Sequence, residues 1–504
     1  MHKFFLLVFF LFLSSIGYGK SIQTIYNSID PTSICQLLAF HELYSETDEG
    51  KEALTKAWQL LNNKENPIAL SMPSIDLQFI INLINKDNED NQIDLSDQAI
   101  DTIEKLGTNL KNRKLKGHFV WTKEEVLRLP VEEVDLSRAL FIEELNDDTQ
   151  KIKTYEAYLD LIALQILPKL PNSPTAYDKI HAINKFIFFD MGFKFPPHSL
   201  WPKNVDTYTF LPSVLDSRKG VCLGISILYL CLAQRLDLNL EIITPPGHIY
   251  IRYKDENDKI LNIETTVRGI DIPTEAYLGI ETKKSQFRNI KEVTGLALTN
   301  KAANYLTDEK YETAISLYEK ALDYLPSDPM VGEFLGYCYY FTKSKKKGLE
   351  LLKKTNNHIP EHTISKNIII EDLLNKKTND EGIKACLMHV DETRQSILKK
   401  QKRLEKVLKK YPKFRAGILQ LASTYMQLGQ EKKALDTLLL YDSIDNNDPL
   451  VNYYIAAVSF ERMDYNKAWK HLKRSSSYLE KQNHFPSALK QLEAELEKVC
   501  PDED

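Results

Sequence analysis

Past about residue 290 the chain keeps a fixed period. Ala314 and Gly348 stand 34 positions apart, and so do Ala434 and Ala468. Around Ala314, alternating large and small residues fall at Leu298, Ala302, Tyr305, Tyr318, Ala321 and Pro326. A second unit follows in register with Leu335, Gly336, Tyr339, Leu352 and Pro360. After a less regular, Lys-rich helical stretch, a third carries Ile418, Leu421, Ala422, Tyr425 and Leu438, and a fourth Ile455, Ala456 and Leu472. Small residues recur where two helices touch, and large ones fill the space between neighbouring units. A helix-turn-helix of this length cannot bury its apolar face alone, so residues 290–504 are expected to stack into an all-α solenoid. Such an array presents a concave surface, and its default ligand is a protein or peptide.

A different signature lies upstream. Cys222 follows Gly220 where a loop gives way to an unbroken apolar run, Ile225 to Ala233. A cysteine at a helix start meets unpaired N–H groups and the positive end of the dipole, which favour a thiolate. His248 follows Pro245-Pro246-Gly247 and opens an alternating strand, and the next strand carries Asn262 and Glu264. Cysteine, histidine and a carboxylate or amide on helix, strand and strand form the constellation of nucleophilic acyl transfer. A short loop at Asp255-Glu256-Asn257 would set His248 opposite Glu264 and Asn262 opposite Tyr250, all on one face. A loop two residues longer at each end would bring Asn262 opposite His248 instead, and either side chain can orient an imidazole.

The other segments are plainer. Residues 1–19 have the form of a secretory signal: His2 and Lys3, an apolar run from Phe4 to Leu13, and small residues at Gly17 and Gly19. The run is short for a membrane span, and whether the segment is cleaved or kept as an anchor stays open. The chain is therefore expected in a periplasm, at a cell envelope or outside the cell. Residues 20–150 read as a helical module with faces at Leu37 to Phe40, Ala57 to Leu61 and Leu77 to Ile84, and a helix from Ser96 to Leu110 capped by Asp94 or Ser96. From 151 to 285 the pattern predicts helices over Tyr155 to Leu167 and Ala176 to Phe189, then a Pro-, Trp- and Tyr-rich loop from Pro196 to Pro212. The Cys222 helix, a strand at Leu240 to Ile243 and the two strands bearing His248 and Glu264 complete an α+β unit.

Read in order, Asn184 to Phe188, Gly192-Phe193, Ser213-Val214-Leu215, Arg218 to Ser226, Leu228-Tyr229-Leu230, Pro246-Gly247-His248 and Arg252 resemble the bacterial transglutaminase-like core of the SirB type. That core is commonly joined to tetratricopeptide repeats, which the 34-residue units resemble in turn. The resemblance covers about residues 150–285 and implies a papain/transglutaminase-like fold with a Cys-His-Asp type triad. By motif Cys222 is the nucleophile and His248 the base. The chain departs at the third position, where Glu264 stands in place of the usual aspartate. Some relatives lack the cysteine; this chain keeps it.

Each feature has a plainer reading. Cys222 can be an inert buried thiol, and His248 a strand-end histidine held by a carbonyl. Arg218 and Arg252 suit structural hydrogen bonds or the lining of a cleft. Trp201 and Tyr208 can wall a substrate groove or serve as core aromatics. The ten other histidines show no metal-ligand spacing, no acidic loop has a calcium pattern, and no cofactor is implied. A net charge of -5 gives no footprint for nucleic acid. Cys222 and Cys231 lie on one helix roughly 13 Å apart, out of disulfide reach. Cys231, Cys338 and Cys386 read as packing, whereas a pairing of Cys35 with Cys500 stays open. Two functions remain: an exported cysteine-dependent amidase, protease or acyltransferase acting on a peptide or amide with repeats that recruit a protein partner, or a non-catalytic envelope scaffold.

Overall fold

The computed structural model describes residues 21–62, 92–146, 148–196, 208–357, 359–391 and 393–502. The signal-like segment, the Leu77 to Ile84 face and Trp201 lie outside them. No helix among the described residues is long and apolar enough to cross a membrane.

The N-terminal module is helical. Its helices include Ile34–Tyr44, Asp48–Leu61, Asp97–Leu106 and Leu136–Glu144. Ser96 caps the third by accepting from the Ala99 amide, and that helix stops at Gly107, short of Leu110. The module packs against the long helix Thr149–Ile166, which starts at its Asp148 cap and is buried on nearly every face. Between them runs a buried ionic network. Arg138 donates to both carboxylate oxygens of Glu156 (2.7 and 2.6 Å), and Arg235 donates to Asp160 (2.8 Å), which also takes Arg113. Charges removed from water need such multiple partners, and breaking one member is costly.

The helix Ala176–Asn184 continues as a π-turn, Lys185–Asp190, before Gly192 at φ +73° ends it. Helices Leu211–Ser217 and Cys222–Arg235 then lead into an antiparallel sheet of four strands: β1 (Glu241–Thr244), β2 (Tyr250–Lys254), β3 (Ile260–Ile263) and β4 (Gln286–Arg288). The spatial order is β3-β2-β1-β4. The sequence gives no hint of β4, three residues long, because it is too short to show an alternation.

The β2–β3 register differs from both expected alternatives. Arg252 pairs with Asn262 and Lys254 with Ile260. The turn centres one residue later than foreseen, since Asp258 takes a positive φ of 61° and the Asp255 carboxylate accepts from the amides of Asn257 and Lys259 (both 2.9 Å). The pairing slides by two residues, so the facing of every side chain is preserved.

The repeat region stacks as antiparallel helix pairs. They are Ile290–Thr307 with Tyr311–Tyr324, Pro329–Phe341 with Lys345–Asn356, Arg415–Gln427 with Glu431–Asp442, and Pro449–Glu461 with Tyr465–Lys481. The irregular middle forms Ile368–Leu374, Asp380–Leu387 and Arg394–Lys410. Ala314, Ala434 and Ala468 are fully buried where their pairs cross. At Gly348 an added Cβ would lie 2.4 Å from the Tyr340 amide, so only glycine lets these helices approach as they do. The array is bolted to the rest of the chain. Thr282 bridges Thr363, the Lys283 amide donates to the His362 carbonyl (2.9 Å), and the Ile364 amide to the Glu281 carbonyl (3.2 Å). The His484 ring contacts the Gly279 carbonyl (3.0 Å), so the fourth repeat curls back onto the same connection.

Candidate active site

Cys222 is the first residue of its helix. Its N-cap, Val221, carries no capping side chain, so no side chain takes up the N–H groups of the first turn. Three contacts fix that helix start. The Val221 amide donates to the Tyr208 carbonyl (3.2 Å), and an added Cβ at Gly224 would lie 2.1 Å from the same oxygen. Arg218, in the left-handed region at φ +54°, donates to the Met191 carbonyl (3.0 Å) and is buried. Tyr208 thus acts through its main chain, while its ring lies under Lys219.

His248 leaves the turn at Gly247, where φ is +72°, with its own amide donating to the Pro245 carbonyl (3.1 Å). Its Nε2 lies 2.7 Å from Glu264 Oε2, and its side chain is 26% exposed against 3% for Glu264. Burial by itself would lower the His248 pKa. Hydrogen bonding with Cys222 and with Glu264, and the charges of both, override it and raise the imidazolium to about 10. Because Nε2 is engaged by the carboxylate, Nδ1 is the nitrogen left for the thiol. Burial likewise opposes ionisation of Glu264, but hydrogen bonds from His248, Thr266 and Tyr277 hold it down at about 2.

Asn262 goes elsewhere. It accepts from Arg252 Nε (2.9 Å) and donates to the Ile272 carbonyl (2.7 Å), so the side chain that was the other candidate for orienting His248 braces Arg252. Arg252 also donates to the Tyr250 and Thr274 hydroxyls (3.0 and 2.9 Å), a buried structural role.

The roles of two residues of the site escaped the sequence reading, although Ser226 closes the family-like stretch Arg218 to Ser226. Tyr277 donates to Glu264 Oε2 (2.6 Å), the oxygen that faces His248, and its ring stacks on His248 at 5.7 Å and on Tyr250 at 4.2 Å. It comes from a short 3-10 turn between β3 and β4, with no periodicity to flag it. Ser226, one turn along the Cys222 helix, shares a 3.0 Å hydrogen bond with Thr265, next to Glu264. This bond ties the helix bearing the cysteine to the segment bearing the carboxylate.

Cys222 and His248 open into a cavity of about 620 Å³. The remaining cysteines have other surroundings. Cys231 is buried on the same helix with its thiol pushed far up by burial, and burial raises Cys338 and Cys386 to about 12 each. Cys35 is exposed and Cys500 half-buried. One group of potential metal ligands, His118, Asp135 and Glu156, also assembles within 4.8 Å from distant parts of the sequence. Its carboxylates are already engaged, Glu156 by Arg138 and Asp135 by Asn112 (3.1 Å) and Ser137 (2.6 Å), so the cluster belongs to the ionic network beneath the site.

Residues 153–330 match the family model described as the transglutaminase-like superfamily, a stretch that runs from the long central helix through the first repeat pair. No curated protein matches the chain. Among solved structures, MamA from MSR-1 is similar over 38% of this chain and 99% of its own, at 20% identity and a TM-score of 0.20. PilF of Pseudomonas aeruginosa is similar over 42% of this chain and 85% of its own, at 16% identity and a TM-score of 0.22. The chain thus carries a transglutaminase-like α+β domain, preceded by a helical module and continued by a tetratricopeptide-like solenoid.

Proposed function

We propose that this protein breaks or exchanges an amide bond through a thioester on Cys222, with His248 as the proton carrier and Glu264 as the group that orients and charges it. The observation that supports this most is the chain of contacts from Cys222 through His248 to Glu264, in the wall of an open cavity. The Cys222 sulfur attacks the carbonyl carbon, and its negative charge passes to the carbonyl oxygen. That oxygen meets the N–H groups of the Cys222 helix start. When the tetrahedral species collapses, the C–N bond breaks and the proton on His248 moves to the departing nitrogen. Neutral His248 then takes a proton from water or from an amine. The new oxygen or nitrogen bonds to the acyl carbon, and Cys222 leaves as the thiolate. Water as acceptor gives hydrolysis and an amine gives transfer. The N-terminal apolar segment extends the reading to an exported protein acting at the envelope or beyond.

The test is the rate of iodoacetamide labelling at Cys222 between pH 5 and 9, in the wild type and in His248→Ala. The reading expects rapid labelling at pH 6, falling by more than about tenfold without the imidazole. Labelling that is slow and indifferent to His248 would sink it and leave a non-catalytic binding module.

A further inference from the structure

The cavity at Cys222 and His248 has walls from two parts of the chain. One belongs to the transglutaminase-like domain, from Thr244 to Ile249 together with Cys222. The other is built by the solenoid: Asn300 of the first helix pair, Met330 of the second, Ile369 of the irregular stretch, and Leu419 and Gln420 of the third pair. Access to the thiol therefore runs along repeat helices far apart in sequence. The main-chain bridge between residues 282 and 363 holds the two walls together.

The chemistry of the repeat wall narrows what fits. Its charges are mostly engaged: Arg288 donates to Asp328 (2.8 Å), Ser365 to Glu281 (3.1 Å) and Asn367 to Glu333 (2.6 Å). Burial also pushes the carboxyls of Glu281 and Glu333 up, toward their neutral form. Lys366 stands at the exposed rim. What faces the opening is apolar surface at Met330, Ile369 and Leu419, interleaved with the primary amides of Gln420 and of Asn300, whose Nδ2 also donates to the Thr209 hydroxyl (2.7 Å). A polyanion finds little counter-charge there. An extended polypeptide carries unpaired N–H and C=O groups at every residue, and side-chain amides offer a donor and an acceptor for them. Apolar surface between those amides suits the peptide's own side chains.

We propose that this groove is the substrate site for an extended polypeptide segment, read on one side by the repeats, with the reactive amide delivered to Cys222. The solenoid is then part of the substrate site, in contrast to a separate arm that recruits a partner elsewhere. This inference rests on the acyl-transfer reading, so its test keeps the two apart.

In the full-length chain, Cys222 is alkylated with iodoacetamide and, separately, with a random-sequence dodecapeptide mixture carrying an N-terminal iodoacetyl group. The readout is the ratio of the two rates, because the small reagent reports on the Cys222–His248 pair alone. The ratio is expected to favour the peptides by about tenfold in the wild type and to fall about fivefold or more in Met330→Arg and in Leu419→Arg. Met330 is 42% exposed and Leu419 partly so, packed at the edge of the cluster around Ile418 and Leu438, and an unchanged iodoacetamide rate in each variant shows that the fold is kept. The same ratio in wild type and both variants would overturn the groove. Slow iodoacetamide labelling with a ratio that still falls would keep the groove and remove the chemistry.

Discussion

Replacing Glu264 with Gln keeps the shape of the side chain and removes its charge. In the wild type the carboxylate accepts from His248 Nε2 (2.7 Å), the Tyr277 hydroxyl (2.6 Å), and the Thr266 hydroxyl (2.6 Å) and amide (3.1 Å). A glutamine amide has one acceptor oxygen for all four, so at least one donor is left facing an NH₂. His248 is raised to about 10 from an ordinary 6.5, a preference for the imidazolium on the order of 5 kcal/mol at ~1.4 kcal/mol per unit. Cys222 and Glu264 share that preference, and a 26% exposed ring is partly screened by water. Loss of the Glu264 share is expected to lower the His248 midpoint by about one to two units, or on the order of 2 kcal/mol. The midpoint is read from the imidazole Cε1 proton by NMR titration, in Cys222→Ala and in Cys222→Ala/Glu264→Gln, so that the thiol does not confuse the comparison. A midpoint that moves by less than about half a unit would refute the argument that Glu264 holds the proton on the ring.

The same pair sets a pH window for stability. The contribution of His248 is complete below about 6.5 and is lost as pH rises through about 10. That of Glu264 is present above about 4.5 and is lost as pH falls toward about 2. The stability gap between wild type and Glu264→Gln is therefore largest between about pH 4.5 and 6.5 and narrows toward either extreme.

Three further outcomes follow from single contacts. Tyr277→Phe keeps the ring stacked on His248 but removes a donor from Glu264; urea melts should show a loss of about 1 kcal/mol, and the His248 midpoint should rise slightly, because the carboxylate left with fewer donors holds the imidazolium more strongly. Ser226→Ala cuts the tie to Thr265 and leaves a buried hydroxyl without that partner, which should cost about 1 to 2 kcal/mol in the same assay. Gly224→Ala forces the Tyr208 carbonyl away from the Cys222 helix and should slow iodoacetamide labelling and destabilise the fold by about 1 to 3 kcal/mol, whereas Gly279→Ala, with open space around its Cβ, should be nearly neutral.

The repeat solenoid was legible because its signal is periodic and redundant: small residues 34 positions apart, Ala314 with Gly348 and Ala434 with Ala468, mark two pairs of units on either side of an irregular middle. The α+β unit was legible from its apolar helix and alternating strands, and the family spacing named the residues to watch. The β2–β3 register was not, because it depends on one residue, Asp258, adopting a positive φ in a polar turn where several turns are equally compatible with the sequence. Parity survived the slip, since a two-residue shift restores the same face. The contacts of Tyr277 and Ser226 and the repeat wall of the cavity were invisible for a different reason. Each joins segments distant in the chain, and neither periodicity nor a local motif records such a contact.

The central claim is that Cys222 can carry an acyl group with the help of His248. The most direct measurement is mapping by peptide mass spectrometry after a brief exposure to p-nitrophenyl acetate at pH 7, with nitrophenolate release followed in parallel. The account predicts a burst of nitrophenolate equal to the protein concentration, an acetyl group on Cys222 that hydroxylamine removes, and loss of both in Cys222→Ala and in His248→Ala. Acetylation scattered over lysines with Cys222 unmodified, or a burst that persists in His248→Ala, would contradict it.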